Sequence, residues 1–450
     1  MASVNPPENP NDSSPRSASP ALLDRWFLLT EHGTTPGREL IAGVTTFLTM
    51  AYIIFVNPNV LSAAGMDHGS VFVATCLAAA IGSLIMGVYA NYPIALAPGM
   101  GLNAFFSFTV VGEMGYSWQV ALGAVFLSGV MFLLLSIFRV REWIINSIPL
   151  SLRMALSAGV GLFLGIIALK TAGIVVDSPA TLVTLGDLTA PEPLLAGLCF
   201  IVITVLTFRR VTGAVMIGIL FVTLIGLAGG LVRYQGLVSA PPSLAPTVLQ
   251  LDIAGAFDVA MISVIFSFLF VDLFDTAGTL IGVAHRGNLL DSKGQLPRLG
   301  RALMADSSAS ICGSLLGSST TTSYVESAAG VEAGGRTGLT AVVVALLFLA
   351  GMFFAPLAAM VPAYATAGAL FFVAVMMTSG LGRIDWHDLT EAAPAVVAAV
   401  MMPLSFSIAN GIALGFITYT AIKLGCGHYR DISASVYVLA ALFILKFAVL

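Results

Sequence analysis

Apolar residues run along this chain in long blocks separated by short polar turns. The blocks fall near residues 40–58, 70–89, 94–110, 117–138, 152–174, 193–208, 211–232, 257–284, 302–317, 324–332, 336–360, 364–381, 391–408 and 409–424. A helix needs about 20 apolar residues to cross a bilayer. Most blocks approach that length, so the pattern predicts an all-α polytopic membrane protein with 14 transmembrane segments, two of them short. A further apolar stretch, 433–449, follows, and the pattern does not say whether it spans or lies at the interface.

Charge placement agrees with this count. With the N-terminus placed in the cytoplasm, alternation puts the basic loop residues inside, from Arg139, Arg141 and Arg153 through Arg286 and Lys293 to Lys423. Only Lys170 and Arg233 then fall outside, with Lys446 undecided. Basic residues favour the cytoplasmic face during insertion. Residues 1–20 are rich in Pro, Ser and Asn without an apolar core, and the first 36 residues are expected to form a disordered cytoplasmic tail.

The halves of the chain echo each other. Ile81-Gly82-Ser83-Leu84 matches Cys312-Gly313-Ser314-Leu315. Phe126–Phe132 matches Phe348–Phe353, and Ala155–Gly159 matches Tyr364–Gly368, at a similar offset. A unit of seven spans is odd, so its second copy enters the membrane upside down. Two inverted 7-span repeats are a common architecture of secondary transporters.

Composition narrows the function. The chain is 58% hydrophobic and 9% charged, with a mean hydropathy of +0.98. Soluble domains carry about 25% charged residues. Basic residues are too sparse for a nucleic-acid surface. Four dispersed cysteines form no disulfide framework, and five histidines near span ends make no metal set. No Walker A motif, nucleophile–base pair or Arg-rich sensor helix is present, so an ATP-driven pump, an enzyme and a voltage sensor are not indicated. No cofactor is expected.

Two segments break the helical pattern at matching places. The third reads Pro93-Ile94-Ala95-Leu96-Ala97-Pro98-Gly99-Met100-Gly101-Leu102-Asn103. Proline removes a donor and glycine weakens a helix interior, so 93–101 is expected to be extended before a short helix. The tenth, Gly317–Ser323, is small, β-branched and hydroxylated, and Ser323 is a candidate cap for a half-helix starting near Tyr324. Extended backbone at membrane depth must be buried or line a cavity. Pairing of the two pieces would satisfy both. Such interruptions are the best sequence pointer to a transporter's substrate site.

The eighth segment places Asp272, Asp275 and Thr279 at i, i+3, i+7, with Phe268 on the same face. An acid at mid-bilayer costs roughly 2.5–3.5 kcal/mol even on insertion scales, which makes intramembrane acids candidate functional groups. Desolvation favours a carboxyl group's neutral form. A buried acid can therefore carry a proton or, once ionised, bond a ligand's N–H groups. Asp272 and Glu326 are the main candidates, Asp275 the third, and Asp306 an internal partner. Asn103 offers donor and acceptor at the first half-helix. Glu332 and Arg336, four residues apart, read as a surface ion pair.

At these residues the chain resembles the AzgA-like purine permeases of the nucleobase:cation symporter-2 (xanthine/uracil permease) family. The resemblance runs from about Gly37 onward. It rests on Gly43–Ile53 with Asn57-Pro58, on Ala97–Ala104, on Asp272–Leu280 and on Thr320–Gly338. It implies core spans 1–4 and 8–11 (37–138 and 251–360) and gate spans 5–7 and 12–14 (139–250 and 361–430), with 431–450 left unplaced. It further implies elevator-like import of adenine, guanine or hypoxanthine with a proton, and often a homodimer through the gate. Substrate contacts are expected at Asn103, Asp272 and Glu326, supported by Asp275, with Thr46 and Thr321 in the same motifs. Phe268 is a candidate stacking partner, since base–aromatic stacking contributes roughly 1–3 kcal/mol. Proton coupling is expected at Asp272, Glu326 and Asp275, and the location is the cell membrane. An anion transporter or channel on the same fold is the alternative, and two core acids argue against it.

Overall fold

The structure, a computed structural model, describes residues 21–138, 148–291 and 295–449. The first 20 residues and Arg139, Arg141 and Lys293 lie outside that range. Among the described residues, nine helices are long and apolar enough to cross a membrane. In order they are span 1 (Pro36–Ser62), span 2 (His68–Ala90), span 4 (Trp118–Ile137), span 5 (Leu150–Thr171), span 6 (Pro191–Phe208), span 8 (Val259–Arg286), span 11 (Gly338–Met360), span 12 (Ala363–Arg383) and span 14 (Ile408–Gly425). Spans 7 (Ala214–Ala228) and 13 (Leu389–Leu404) are shorter apolar helices. Span 9 is Leu299–Leu316, less apolar because it carries Asp306 and a run of serines.

Spans 3 and 10 are built differently. Each opens with a three-residue strand, β1 (Leu96–Pro98) and β4 (Thr321–Ser323), and then turns into a half-helix. The first half-helix is Met100–Ala104, continuing as a wider π-helix over Phe105–Glu113. The second is Ser327–Glu332. The expected 14 segments, including both interruptions, are therefore present as two 7-span sets in matching order.

Packing follows the repeat symmetry. Span 9 lies on spans 2 and 4, and span 11 on spans 1 and 2. Span 5 lies on spans 12 and 13, and span 6 on spans 7 and 12. Small residues allow these approaches. A Cβ added at Gly338 would lie 1.8 Å from the Gly87 carbonyl oxygen, so span 11 touches span 2 backbone to backbone. Span 1 breaks at Ala51 between Pro36–Met50 and Ile53–Ser62, which places Tyr52 at the start of its second part.

Several local expectations change. Residues 21–36 are ordered: Ala21–Phe27 is a helix, and Leu29 is fully buried. The Asn91 side chain donates to the Phe27 carbonyl, tying the segment to the end of span 2. Glu332 pairs with Arg286 at 3.2 Å instead of Arg336. Arg336 instead donates to the Val331 and Gly335 carbonyls, which a sharp bend at the end of the half-helix brings within reach. Within the stretch 433–449, Ala434–Val449 forms a helix that runs antiparallel to span 14, with Phe443 against Phe416 and Lys446 donating to Asn410. A short hairpin, β2 (Val175–Ser178) with β3 (Leu182–Leu185), fills the loop between spans 5 and 6.

Gly338→Ala is expected to lower the melting temperature of the detergent-purified protein. Overpacking of this kind costs about 1–3 kcal/mol. An unchanged melting curve would contradict the backbone contact.

Candidate functional site

The site begins with backbone groups that have no water to turn to. β1 and β4 pair antiparallel, with Leu96 opposite Ser323, Ala97 opposite Thr322 and Pro98 opposite Thr321. The Gly99 N–H donates to Thr320 O (2.8 Å) and the Tyr324 N–H to Ala95 O (3.0 Å), extending the ladder at both ends. Two serines close its outer edges. Ser83 on span 2 accepts from the Leu96 N–H (2.9 Å) and donates to the Leu96 carbonyl (3.1 Å). Ser310 on span 9 does the same for Thr321, at 3.2 and 2.8 Å. The Tyr324 hydroxyl donates to Pro98 O at 2.6 Å.

Asp306 holds β4 in place. Its Oδ1 accepts from the Ser323 N–H and the Ser323 hydroxyl, both at 2.8 Å. Its Oδ2 accepts from Thr276 on span 8 (2.8 Å). Thr276 has thereby committed its proton, so Thr322 is the donor in the 2.7 Å contact between the two threonines. Ser323 is therefore no helix cap. Its hydroxyl goes to Asp306, and Glu326 occupies the N-cap position of a half-helix that starts at Ser327.

Asp272 sits one turn before Thr276 and is almost fully buried. Ser310 is 3.2 Å from its Oδ2 but must share one proton with Thr321 O. Asp272 Oδ1 has no partner. Glu326 is partly exposed, and its Oε1 accepts from the Tyr52 hydroxyl at 2.8 Å. Asn103, in the first half-helix, is fully buried and donates its Nδ2 to Asn57, while its Oδ1 has no partner. Phe268 is buried edge-on to Phe105, ring centroids 5.2 Å apart.

Three other expected residues are placed as follows. Thr46 turns its hydroxyl toward Gly330 of the second half-helix, where a Cβ would lie 2.0 Å away. Thr321 turns its hydroxyl toward Gly313 of span 9. Asp275 is partly exposed, with no hydrogen bond among the described residues. The helix face that joins Asp272 and Asp275 turns Asp272 inward, with Thr276 beside it, and leaves Asp275 partly exposed. Sequence reading missed Tyr52, Tyr324, Ser83, Ser310, Thr276 and Thr322. Their signal was a hydroxyl within reach of an interruption, in helices where interhelical hydrogen bonds are the polar glue.

The result is a closed polar seam. Two clefts lie away from it, one beside spans 5 and 12 and one between span 8 and the C-terminal helix. Along the seam, Asn103 and Asp272 each present an oxygen acceptor with nothing donating to it. Both oxygens can accept from an N–H group.

The fold is that of an inverted-repeat membrane protein. It is similar to the transmembrane domain of a cyanobacterium bicarbonate transporter, BicA (TM-score 0.64, 16% identity, covering 84% of this chain and 96% of that one). It is also similar to SLC26A9 (TM-score 0.63, 11% identity, 89% and 68%). At such identities the likeness shows the fold alone. Residues 37–414 match Xan_ur_permease, described as a permease family, and the chain belongs to that family. It is 54% identical to adenine permease AdeP of Escherichia coli (strain K12), over 96% of this chain and 97% of the relative. It is 46% identical to guanine/hypoxanthine permease PbuG of Bacillus subtilis (strain 168), over 94% and 99%. A Paenibacillus larvae nucleobase transporter, PlAzg2, is 33% identical over 90% and 79%. The chain is thus an integral membrane permease of a nucleobase-transporting family, not an enzyme, and its AzgA-like resemblance holds.

Asp306→Ala is expected to destabilise the protein more than Asp306→Asn. Alanine leaves the buried Ser323 N–H unsatisfied, which costs about 1–3 kcal/mol. Asparagine keeps an acceptor there. Thermal melts of both purified variants check this, and equal melting temperatures would contradict it.

Proposed function

We propose that this permease imports purine nucleobases (adenine, guanine or hypoxanthine) together with a proton. The observation that carries the reading is the pair of buried acceptors, Asn103 Oδ1 and Asp272 Oδ1, beside the paired strands that open both half-helices, in a chain so similar to adenine and guanine/hypoxanthine permeases. A purine carries N–H donors and ring-nitrogen acceptors on one flat edge. A carboxylate accepts from an N–H, whereas a carboxylic acid donates to a ring nitrogen, so a proton and a base load together on the same group. Asp272 and Glu326 fill that role, with Asp275 next to them. Phe268, Thr46 and Thr321 supply the walls.

In this reading spans 1–4 and 8–11 (37–138 and 251–360) form a core that carries the seam. It moves elevator-fashion against a gate of spans 5–7 and 12–14 (139–250 and 361–430), and the gate forms the homodimer contact. The chain lies in the cell membrane. Its N-terminus is cytoplasmic, because the basic loops gather on that side.

Uptake of labelled adenine, guanine and hypoxanthine, in cells lacking their own carriers, tests this. Asp272→Asn and Glu326→Gln are expected to lower uptake about 10- to 100-fold, the scale of a lost charged hydrogen bond, at unchanged membrane abundance. Wild-type uptake by both variants would refute the site. Competition by sulfate or bicarbonate instead of purines would favour an anion carrier. Collapsing the pH gradient with a protonophore is expected to stop accumulation, and unchanged accumulation would remove the proton from the mechanism.

A further inference from the structure

One side of the seam has its hydrogen-bonding polarity set by a relay from span 2 through span 1 to span 3. Thr75 donates its single hydroxyl proton to the Val71 carbonyl at 2.7 Å. Its oxygen is thereby left as an acceptor, and the Asn57 Nδ2 lies 2.8 Å from it. The same Nδ2 is 3.5 Å from the Ser318 hydroxyl, beside β4. With its nitrogen committed, Asn57 can only turn its Oδ1 to Asn103, whose Nδ2 donates to it. The reversed arrangement would set two oxygens against each other at the Thr75 end. Asn103 is then left with one outcome: its nitrogen faces Asn57, and its Oδ1 faces away, buried and without a partner. Thr75, Asn57, Asn103 and Ser318 are all fully buried, so no bulk water reaches the relay to reorient it.

We propose that Asn57 is a positioning residue for substrate specificity, which fixes the place of the Asn103 Oδ1 and so requires a bound base to turn an N–H toward that oxygen. The inference rests on the purine reading above. An asparagine free to rotate offers either an oxygen or an NH2 group and accepts either polarity of base edge. An asparagine held by Asn57 presents its oxygen at one fixed place. A base that places a carbonyl or an unprotonated ring nitrogen there meets an acceptor with an acceptor. Sites built around one hydrogen-bonding group reject the wrong partner because buried polar groups are left unpaired.

The test compares wild type, Asn57→Leu and Thr75→Val. Competition against labelled substrate is measured with adenine, hypoxanthine, unsubstituted purine and their ring-nitrogen methyl derivatives. In wild type, removing one particular N–H is expected to weaken competition about 10- to 100-fold, the range for a hydrogen bond to a buried partner. In Asn57→Leu that one penalty is expected to fall below about 3-fold, with the other penalties retained. Thr75→Val frees Asn57 to turn over while leaving it in place. It is expected to shift the same penalty in the same direction, and it serves if Asn57→Leu does not reach the membrane. A uniform loss across all ligands, with the wild-type pattern of ratios intact, would overturn the proposal and leave Asn57 as a packing residue. If wild type is inhibited by no purine, the purine reading itself fails, a result distinct from an unchanged ratio pattern.

Discussion

Two stretches of extended backbone meet where no water can hydrogen-bond to them, and the rest of the core is arranged to answer that. A strand edge in hydrocarbon leaves each unpaired N–H or C=O at a cost of several kcal/mol. Three residues on each side satisfy one another. The remaining edges are closed by Ser83, Ser310, Asp306 and Tyr324, each from a different position around the pair. Glycines at the helix contacts then let the spans come close enough for those short side chains to reach.

This arrangement separates two kinds of buried acid. Asp306 has every bond it needs and fastens β4 to spans 8 and 9. Asp272 lies one turn from Thr276 on the same helix, yet one of its oxygens has no donor. Only the second kind has capacity left for a ligand or a proton. Asn103 belongs with it, since its Oδ1 is likewise buried without a donor.

Much of this was legible in the sequence. The 14 segments, the inverted repeat and both interruptions follow from apolar block length, loop charge and the placing of Pro93, Pro98, Gly99 and Gly317. The details that failed depend on choices between neighbours. Ser323 has a good capping position by sequence, but Asp306, seventeen residues earlier, competes for its hydroxyl and wins with two bonds. Helical spacing correctly puts Asp272 and Asp275 within one stripe. It does not say on which side of the stripe β4 lies, and Thr276 rather than Asp275 faces it. The ordered segment 21–36 was hidden because its anchor, Asn91, sits at the far end of another span. The roles of Ser83 and Ser310 are set by the strand register, which no local pattern encodes.

The pairing of β1 with β4 also has a consequence in time. The two strands are separated by more than 220 residues of chain. At a synthesis rate of about 5–20 residues per second, Leu96–Pro98 enters the membrane roughly 10–45 s before its partner exists. During that interval span 3 has Ser83 to hold one edge and nothing to hold the other. The first half of the molecule is therefore a waiting intermediate. It needs shelter from lipid until the second half arrives, whether from the insertion machinery or from a different temporary fold of span 3.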